Sequence, residues 1–150
     1  MKIRKIKKSD YPEIKKLEKE LAGFETKLDP DMKENPAEEY FSVFKKNFKK
    51  EESLGFVAIE NKKIIGFIWS MVENWEALKS KKLGHIKDLV VTKEKRNKGT
   101  GKKLLNKMIN ELKNRGIENV TLWVYKNNPA KALYKKEGFT EYIDIMKLKG

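Results

Sequence analysis

The stretch Leu89-Val90-Val91, followed after a charged loop by Arg96-Asn97-Lys98-Gly99-Thr100-Gly101-Lys102, decides the fold. A short apolar strand leads through this loop into an amphipathic helix predicted over 99–114. Glycine reaches backbone conformations closed to other residues, so the loop can turn with several N–H groups pointing outward. Amides at a helix N-terminus bind phosphate with the help of the helix dipole. The stretch therefore predicts a pyrophosphate site, which lysines surround on both sides.

Other readings of the same loop are weaker. The dinucleotide-binding fingerprint needs a third glycine and a later acidic ribose ligand, and both are missing. A Walker A loop needs Gly-Lys-Ser/Thr at a spacing that this loop lacks. A plain strand-to-helix turn with a solvated basic face stays open on the hexapeptide alone.

Composition narrows the classes of chemistry. The 150 residues suit a single domain over 1–150, and the formal net charge is +13. There is no cysteine and His85 is the only histidine, so disulfides, cysteine nucleophiles and His-rich metal sites are excluded, and no metal site is expected. The positive charge favours a polyanionic partner: nucleic acid, an anionic surface or a phosphorylated cofactor. No apolar run approaches the roughly 20 residues of a membrane span or follows the N-terminus as a signal peptide would, so we expect a cytoplasmic protein that does not bind a membrane.

Hydrophobic periodicity predicts a fold of the α/β (α+β) class. Period-2 segments predict strands over 2–7, 54–60, 63–73, 83–92, 119–125 and 140–148. Period-3.6 segments predict helices over 10–22, from about Asn35-Pro36, over 99–114 and over 129–137. Gly23 is expected to end the first helix, and Trp69 is expected in the core.

A second motif follows the glycine loop. Asn127-x-x-Ala130-x-x-Leu133-Tyr134 stands before Gly138-Phe139. Together with Arg96-x-x-Gly99-x-Gly101, this pattern resembles the two signatures of the GNAT superfamily of N-acetyltransferases in order and spacing. The order of elements is similar to the family fold over essentially the whole chain.

The resemblance implies a fold and a cofactor. The fold would be a mixed, mostly antiparallel sheet flanked by helices, with a bulge near Val90 that splays the strand 83–92 from the strand 119–125 and opens a slot. Acetyl-CoA would bind in it, with its pantetheine arm on the backbone of Leu89, Val90 and Val91. Asn127 would contact the pantetheine or acetyl end, and Tyr134 would face the sulfur. The pyrophosphate would bind at the loop of Arg96, on the amides of Asn97, Lys98, Gly99, Thr100, Gly101 and Lys102.

The chemistry of such enzymes is direct transfer in a ternary complex. A neutral amine attacks the thioester, a backbone N–H near Val91 stabilises the charge that develops on oxygen, and the Tyr134 hydroxyl protonates the leaving thiolate. No covalent enzyme intermediate is needed, in agreement with the absent cysteine. An alternative places Tyr134 in the core, packed against Phe139.

Several residues are candidates for the base. His85 has an ordinary pKa near neutrality, and period 2 places it on the strand face of Lys87, Leu89 and Val91. A surface histidine is the alternative. Asp88 is the rival base, and Glu73 or a water relay is a further one.

The acceptor is expected near 24–39, which is acidic inside a basic chain. This favours a cationic primary amine: a polyamine, a lysine side chain or the N-terminal amine of a basic peptide. Leu122 stands where members that acetylate protein N-termini place a Glu, which counts against that specificity. The alternative is a solvated acidic loop. The candidate substrate residues are Phe24, Glu25, Asp29, Glu73, Trp75 and Tyr125.

Two rival functions remain. A non-catalytic acyl-CoA-binding regulatory module would keep the glycine loop, and Tyr134 argues against it. Specific nucleic-acid binding is disfavoured because the lysines are spread along the chain without a recognition motif. The sequence leaves open whether the protein forms a homodimer.

Overall fold

The computed structural model describes all residues, 1–150, and contains five strands and four α-helices. The strands are β1 (Lys2–Lys5), β2 (Ser53–Glu60), β3 (Lys63–Asn74), β4 (Lys82–Val91) and β5 (Asn119–Leu122). The helices are α1 (Tyr11–Leu28), α2 (Ala37–Phe48), α3 (Thr100–Asn114) and α4 (Lys131–Lys136).

The sheet follows the chain order β1-β2-β3-β4-β5. All neighbours pair antiparallel except β4 and β5, which are parallel because α3 crosses between them. The hairpin between β2 and β3 turns at Asn61 and Lys62, both with positive φ. This is the predicted mixed, mostly antiparallel α/β fold.

The two sheet faces carry separate cores. One face packs on α3 through Leu104, Leu105, Met108 and Leu112. The other face packs on α1 and α2 through residues that include Ile14, Phe44 and Trp69. Trp69 is 1% exposed, so its predicted core position is confirmed.

A bulge interrupts β4, but at Lys87 rather than near Val90. Trp69 of β3 pairs with Asp88 and the next residue, Ser70, pairs with Ile86, so Lys87 has no partner. Pairing of β4 with β5 ends at Ile86 and Leu122. The predicted splay is therefore present, and the bulge that accompanies it lies three residues earlier than expected.

Two predicted boundaries and one predicted strand are wrong. α1 passes through Gly23 to Leu28, because an exposed glycine with ordinary helical φ weakens a helix without ending it. β5 stops at Leu122 rather than 125. The strand expected over 140–148 does not form: no backbone hydrogen bond involves 140–150. A period-2 segment needs a neighbouring edge, and this one is held only by side-chain ion pairs: Glu141 binds Lys131 and Lys135, and Lys147 and Lys149 bind Asp31.

Candidate cofactor and acceptor site

The loop before α3 exposes a row of free amides. Asn97 and Gly99 have φ of 61° and 85°, which turns the chain sharply into the helix. The first turn of a helix has no intrahelical acceptors, and no other protein acceptor is found for the N–H groups of 97–102. These six successive donors at a helix N-terminus fit a pyrophosphate.

Arg96 orders the strand side of this loop. Its Nε donates to the Val91 carbonyl at 2.8 Å, and its guanidinium lies 6.0 Å from the Phe24 ring centroid. The Val91 carbonyl is therefore already engaged, and Arg96 ties the loop to α1. Phe24 thus lies at the entrance to the loop rather than in the acidic group described below.

The gap between β4 and β5 fits a pantetheine arm. Beyond Ile86 the β4 edge that faces β5 has no ladder partner, so the backbone of Leu89 is available there, whereas Val90 pairs with Phe67 of β3. Asn127 lies in the turn after β5, exposed and without a side-chain hydrogen bond. This is the geometry that acetyl-CoA would require of these residues.

Tyr134 lies on α4, the helix that follows β5. Its ring packs against the α3-side core and stands 6.0 Å from Phe139, edge to face. The core alternative therefore describes the ring, but its hydroxyl has no hydrogen-bond partner in the protein. Burial, and then the charges of Glu25 and Asp88, raise the pKa of Tyr134 to about 12. The hydroxyl therefore keeps its proton at neutral pH.

Asp88 lies on the α1 side of the gap, beside a buried glutamate. Its Oδ2 accepts the indole N–H of Trp69 at 2.8 Å, and its side chain keeps partial exposure. Glu18 of α1 is 0% exposed, and neither of its carboxyl oxygens has a hydrogen-bond partner. Burial, and then the neighbouring Asp88, raise the pKa of Glu18 far above its ordinary value; burial also raises the pKa of Asp88. A proton on Glu18 removes the repulsion between the two carboxyls.

Two further carboxyls continue this group toward solvent. Glu25 accepts the Tyr40 hydroxyl at 2.7 Å, and Asp29 accepts the Tyr125 hydroxyl at 2.7 Å. Both hydroxyls lie 3.8 Å from the Met32 sulfur. We call Glu18, Glu25, Asp29 and Asp88 the acidic cluster. None of its members takes part in any ion pair of the protein, whose ten ion pairs all lie elsewhere.

His85 is not on the predicted face. Its neighbour across the ladder is Met71, on the α1 side, whereas Leu89 and Val91 pack on the α3 side. The extra residue at Lys87 reverses the alternation of β4, so period 2 misplaced His85. Its Nδ1 lies 2.8 Å from the Thr121 hydroxyl, and its ring lies 5.5 Å from that of Trp123. Burial, and then Lys87, lower its pKa.

The remaining candidates lie outside the acidic cluster. Glu73 forms an ion pair with Lys87 at 3.0 Å and acts on His85. Trp75 lies in the loop after β3 and is 38% exposed, with its backbone hydrogen-bonded to Leu78 and Lys81 of the same loop. Sequence reasoning missed Glu18 and Tyr40. Glu18 follows Ile14 by one helical turn on the buried stripe of α1, and a carboxylate in such a stripe was the signal.

No helix of the protein has both the length and the apolar character needed to cross a membrane.

Comparison with known proteins identifies the family. Residues 14–139 match the model of the acetyltransferase (GNAT) family. The [ribosomal protein bS18]-alanine N-acetyltransferase of Haemophilus influenzae is 35% identical over 102 residues, which make up 68% of this chain and 64% of that protein. The chain thus matches slightly less than two thirds of the length of that relative.

Solved structures share the whole fold. A tetramutant of the BH1408 protein from Bacillus halodurans superposes with a TM-score of 0.88 at 24% identity over 99% of both chains. A Clostridium acetobutylicum protein described as a "predicted acetyltransferase with acetyl-CoA" gives a TM-score of 0.78 at 20% identity, over 99% of this chain and 95% of that one. These likenesses confirm the predicted fold, and the match over 14–139 confirms the predicted family: the chain belongs to the GNAT family of acetyltransferases.

Proposed function

We propose that the protein transfers the acetyl group of acetyl-CoA to a primary amine within a ternary complex. The observation that carries this proposal is the row of six free amides at 97–102 beside the unpaired edge of β4. Asp88 stands one residue before Leu89 on that strand, and its charge acts on Tyr134. One residue comes from the α3 side and the other from the α1 side, so a thioester in the gap would have an acid on one side and a proton acceptor on the other.

The chain's own residues divide the work. Acetyl-CoA, when bound, supplies an acetyl group activated as a thioester. The amides of 97–102 hold its phosphates, and Asn127 with the β4 edge orients the arm. The amine nitrogen would form a bond to the carbonyl carbon as the carbon–sulfur bond breaks. Tyr134 would give its proton to the leaving sulfur and recover one from the newly acylated nitrogen.

Asp88 is the better proton acceptor for the incoming ammonium. Its charge acts on Tyr134 and on Tyr40, so it lies close to both the acid and the acidic side of the gap. His85 acts on neither and is held by Thr121. A carboxylate whose pKa is raised by burial is a stronger base than an ordinary aspartate, which favours proton transfer from an ammonium.

The Haemophilus relative is named for acetylating an alanine of ribosomal protein bS18, and that acceptor is a candidate here only by similarity. Leu122 argues against it because it is an apolar residue that packs against the α3-side core. The acidic cluster instead favours a small cationic amine.

The test is thiol release from acetyl-CoA with a panel of amines, together with calorimetry of coenzyme A. We expect the parent protein to bind coenzyme A and to release thiol only when an amine is present. Asp88→Asn should lose the thiol release, and Asp144→Asn should retain it. Asp144 is exposed and outside the site, so it serves as the matched control. Tight binding of coenzyme A without turnover on any amine would favour the regulatory module instead.

A further inference from the structure

The acidic cluster is unusual because it has no basic partner in a strongly basic protein. The protein has 35 lysine and arginine residues against 22 acidic ones, yet no basic side chain forms an ion pair with any of these four carboxyls. A buried carboxyl without a partner costs stability. Glu18 is fully buried with both oxygens unsatisfied, so the free protein bears that cost at this place.

Four segments of the chain supply the acidic cluster and its two tyrosine partners. Glu18 and Glu25 lie two turns apart on α1, and Asp29 follows one turn later, at the end of the helix. The helical rise places Glu25 and Asp29 about 6 Å apart along the axis. Asp88 comes from β4, Tyr40 from α2 and Tyr125 from the segment after β5. The acidic residues therefore form a row from the gap outward.

We propose that this row binds an acceptor with two ammonium groups, a short linear diamine or a longer polyamine. The reacting nitrogen lies at Asp88, next to the gap, and the second ammonium lies between Glu25 and Asp29. This inference rests on the proposed acetyl transfer and gives it a substrate class.

Charge and spacing both favour a dication over a monocation. With Glu18 protonated, Asp88, Glu25 and Asp29 remain as acceptors, which is more negative charge than one ammonium neutralises. The charge of Asp88 acts on Glu25, and Glu18 and Glu25 lie about 10 Å apart along α1, a span that an extended polyamine covers. Tyr40 and Tyr125 hold the outer carboxylates in place by hydrogen bonds and add aromatic edges beside the chain.

The probes are 1,4-diaminobutane and spermidine, compared with 1-aminobutane, which has the same chain length and one charge. Calorimetry is performed on the full chain with coenzyme A present. We expect the diamine to bind at least about 10-fold tighter than the monoamine, and kcat/KM to follow the same order.

Matched variants separate this row from general acidity. Glu25→Gln and Asp29→Asn should reduce the preference for the diamine to within about 3-fold, mainly through KM. Asp31→Asn, in the same loop but already bound by Lys147 and Lys149, should leave the preference intact. Circular dichroism and the affinity for coenzyme A should be unchanged in all three.

The outcomes separate the two proposals. If coenzyme A does not bind, the proposed acetyl transfer itself fails. If coenzyme A binds but the parent treats diamine and monoamine alike, or Asp31→Asn loses as much as Asp29→Asn, the diamine site is overturned while acetyl transfer stands. Displacement of the diamine by millimolar magnesium chloride at constant ionic strength would likewise overturn it, in favour of a metal site.

Discussion

Tyr134 combines a packed ring with a hydroxyl that has no partner in the protein. Tyr134→Phe keeps the contact with Phe139 and removes only the proton donor. We expect kcat to fall roughly 10- to 1000-fold, with the affinity for coenzyme A little changed. Steady-state kinetics and calorimetry test this, with Tyr142→Phe as control because Tyr142 is 64% exposed. An unchanged kcat would remove Tyr134 from the reaction and leave it a core residue.

Glu18 makes stability depend on pH in a direction opposite to that of a paired carboxylate. Its folded-state pKa is raised, first by burial and then by Asp88. Above the ordinary pKa of 4.5 the folded chain therefore holds a proton that the unfolded chain releases. Unfolding free energy then falls as pH rises, by at most about 1.4 kcal/mol per pH unit for one proton.

Glu18→Gln removes this titration. We expect the variant to gain stability relative to the parent as the pH is raised from about 5 to about 9. Urea denaturation at several pH values measures it, and Glu13→Gln, a more exposed position on the same helix, should run parallel to the parent. A constant difference between Glu18→Gln and the parent across this range would mean that Glu18 is ionised in the folded protein.

At the scale of the element, β4 shows what a sequence can and cannot predict. Its length, its apolar character and its connection to α3 follow from period and glycine spacing, whereas the end of pairing with β5 follows only from the family resemblance. The bulge at Lys87 does not, because one extra residue leaves no mark in composition but reverses every side chain before it. His85 was therefore assigned to the α3 side, and Asp88, now on the same face as His85, is the residue that meets the gap.

The acidic side of the site was only partly predictable for a similar reason. The acidic character of 24–39 predicts Glu25 and Asp29, and Tyr125 is a separate candidate for the pocket lining. The structure brings the three together around Met32. Glu18 was hidden because a helix stripe is assigned by its apolar members, and Tyr40 because it stands beside Phe41 and Phe44. Their role depends on how α1 and α2 pack on β4, which is tertiary information.

The reversal of β4 leads to a prediction for the pH–rate profile. If Asp88 accepts the proton, the rate should rise with pH through a pKa above that of an ordinary aspartate, since burial raises it. Asp88→Asn should abolish most activity, and His85→Gln should keep the same limb in the profile of kcat/KM. A limb that disappears in His85→Gln while Asp88→Asn stays active would return the role of base to the histidine.

The glycine loop gives a second prediction at this scale. A Cβ on Gly101 would lie 3.7 Å from the Leu133 side chain and 3.8 Å from that of Val91, which is ordinary contact, so Gly101→Ala should bind coenzyme A nearly as the parent does. Gly101→Val adds two methyl groups to the same space and should cost at least about 2 kcal/mol of binding. Calorimetry decides, with circular dichroism to show that α3 is retained. Equal affinity for both variants would make the loop a plain turn.

At the scale of the whole molecule, charge is distributed unequally. The net charge is +13 and the loop before α3 is basic. The acidic cluster is a negative region on the opposite side of the gap. A cofactor with several negative charges and a cationic acceptor would thus be attracted to different sides of the same slot. Such fields act mainly on association rates and weaken as salt screens them.

The last prediction tests this arrangement through kinetics. The association rate of coenzyme A should fall roughly 10-fold between about 0.02 M and 0.5 M salt, whereas that of pantetheine, which lacks the phosphates, should stay constant. Lys98→Gln with Lys102→Gln should reduce the salt dependence, because both are exposed beside the loop amides. Lys45→Gln with Lys46→Gln removes the same charge from α2, where both lysines are exposed and form no ion pair. Stopped-flow association of the two double variants separates local steering from net charge: equal slopes would assign the effect to the whole molecule, and a smaller slope for the loop variant alone places the phosphates at the N-terminus of α3.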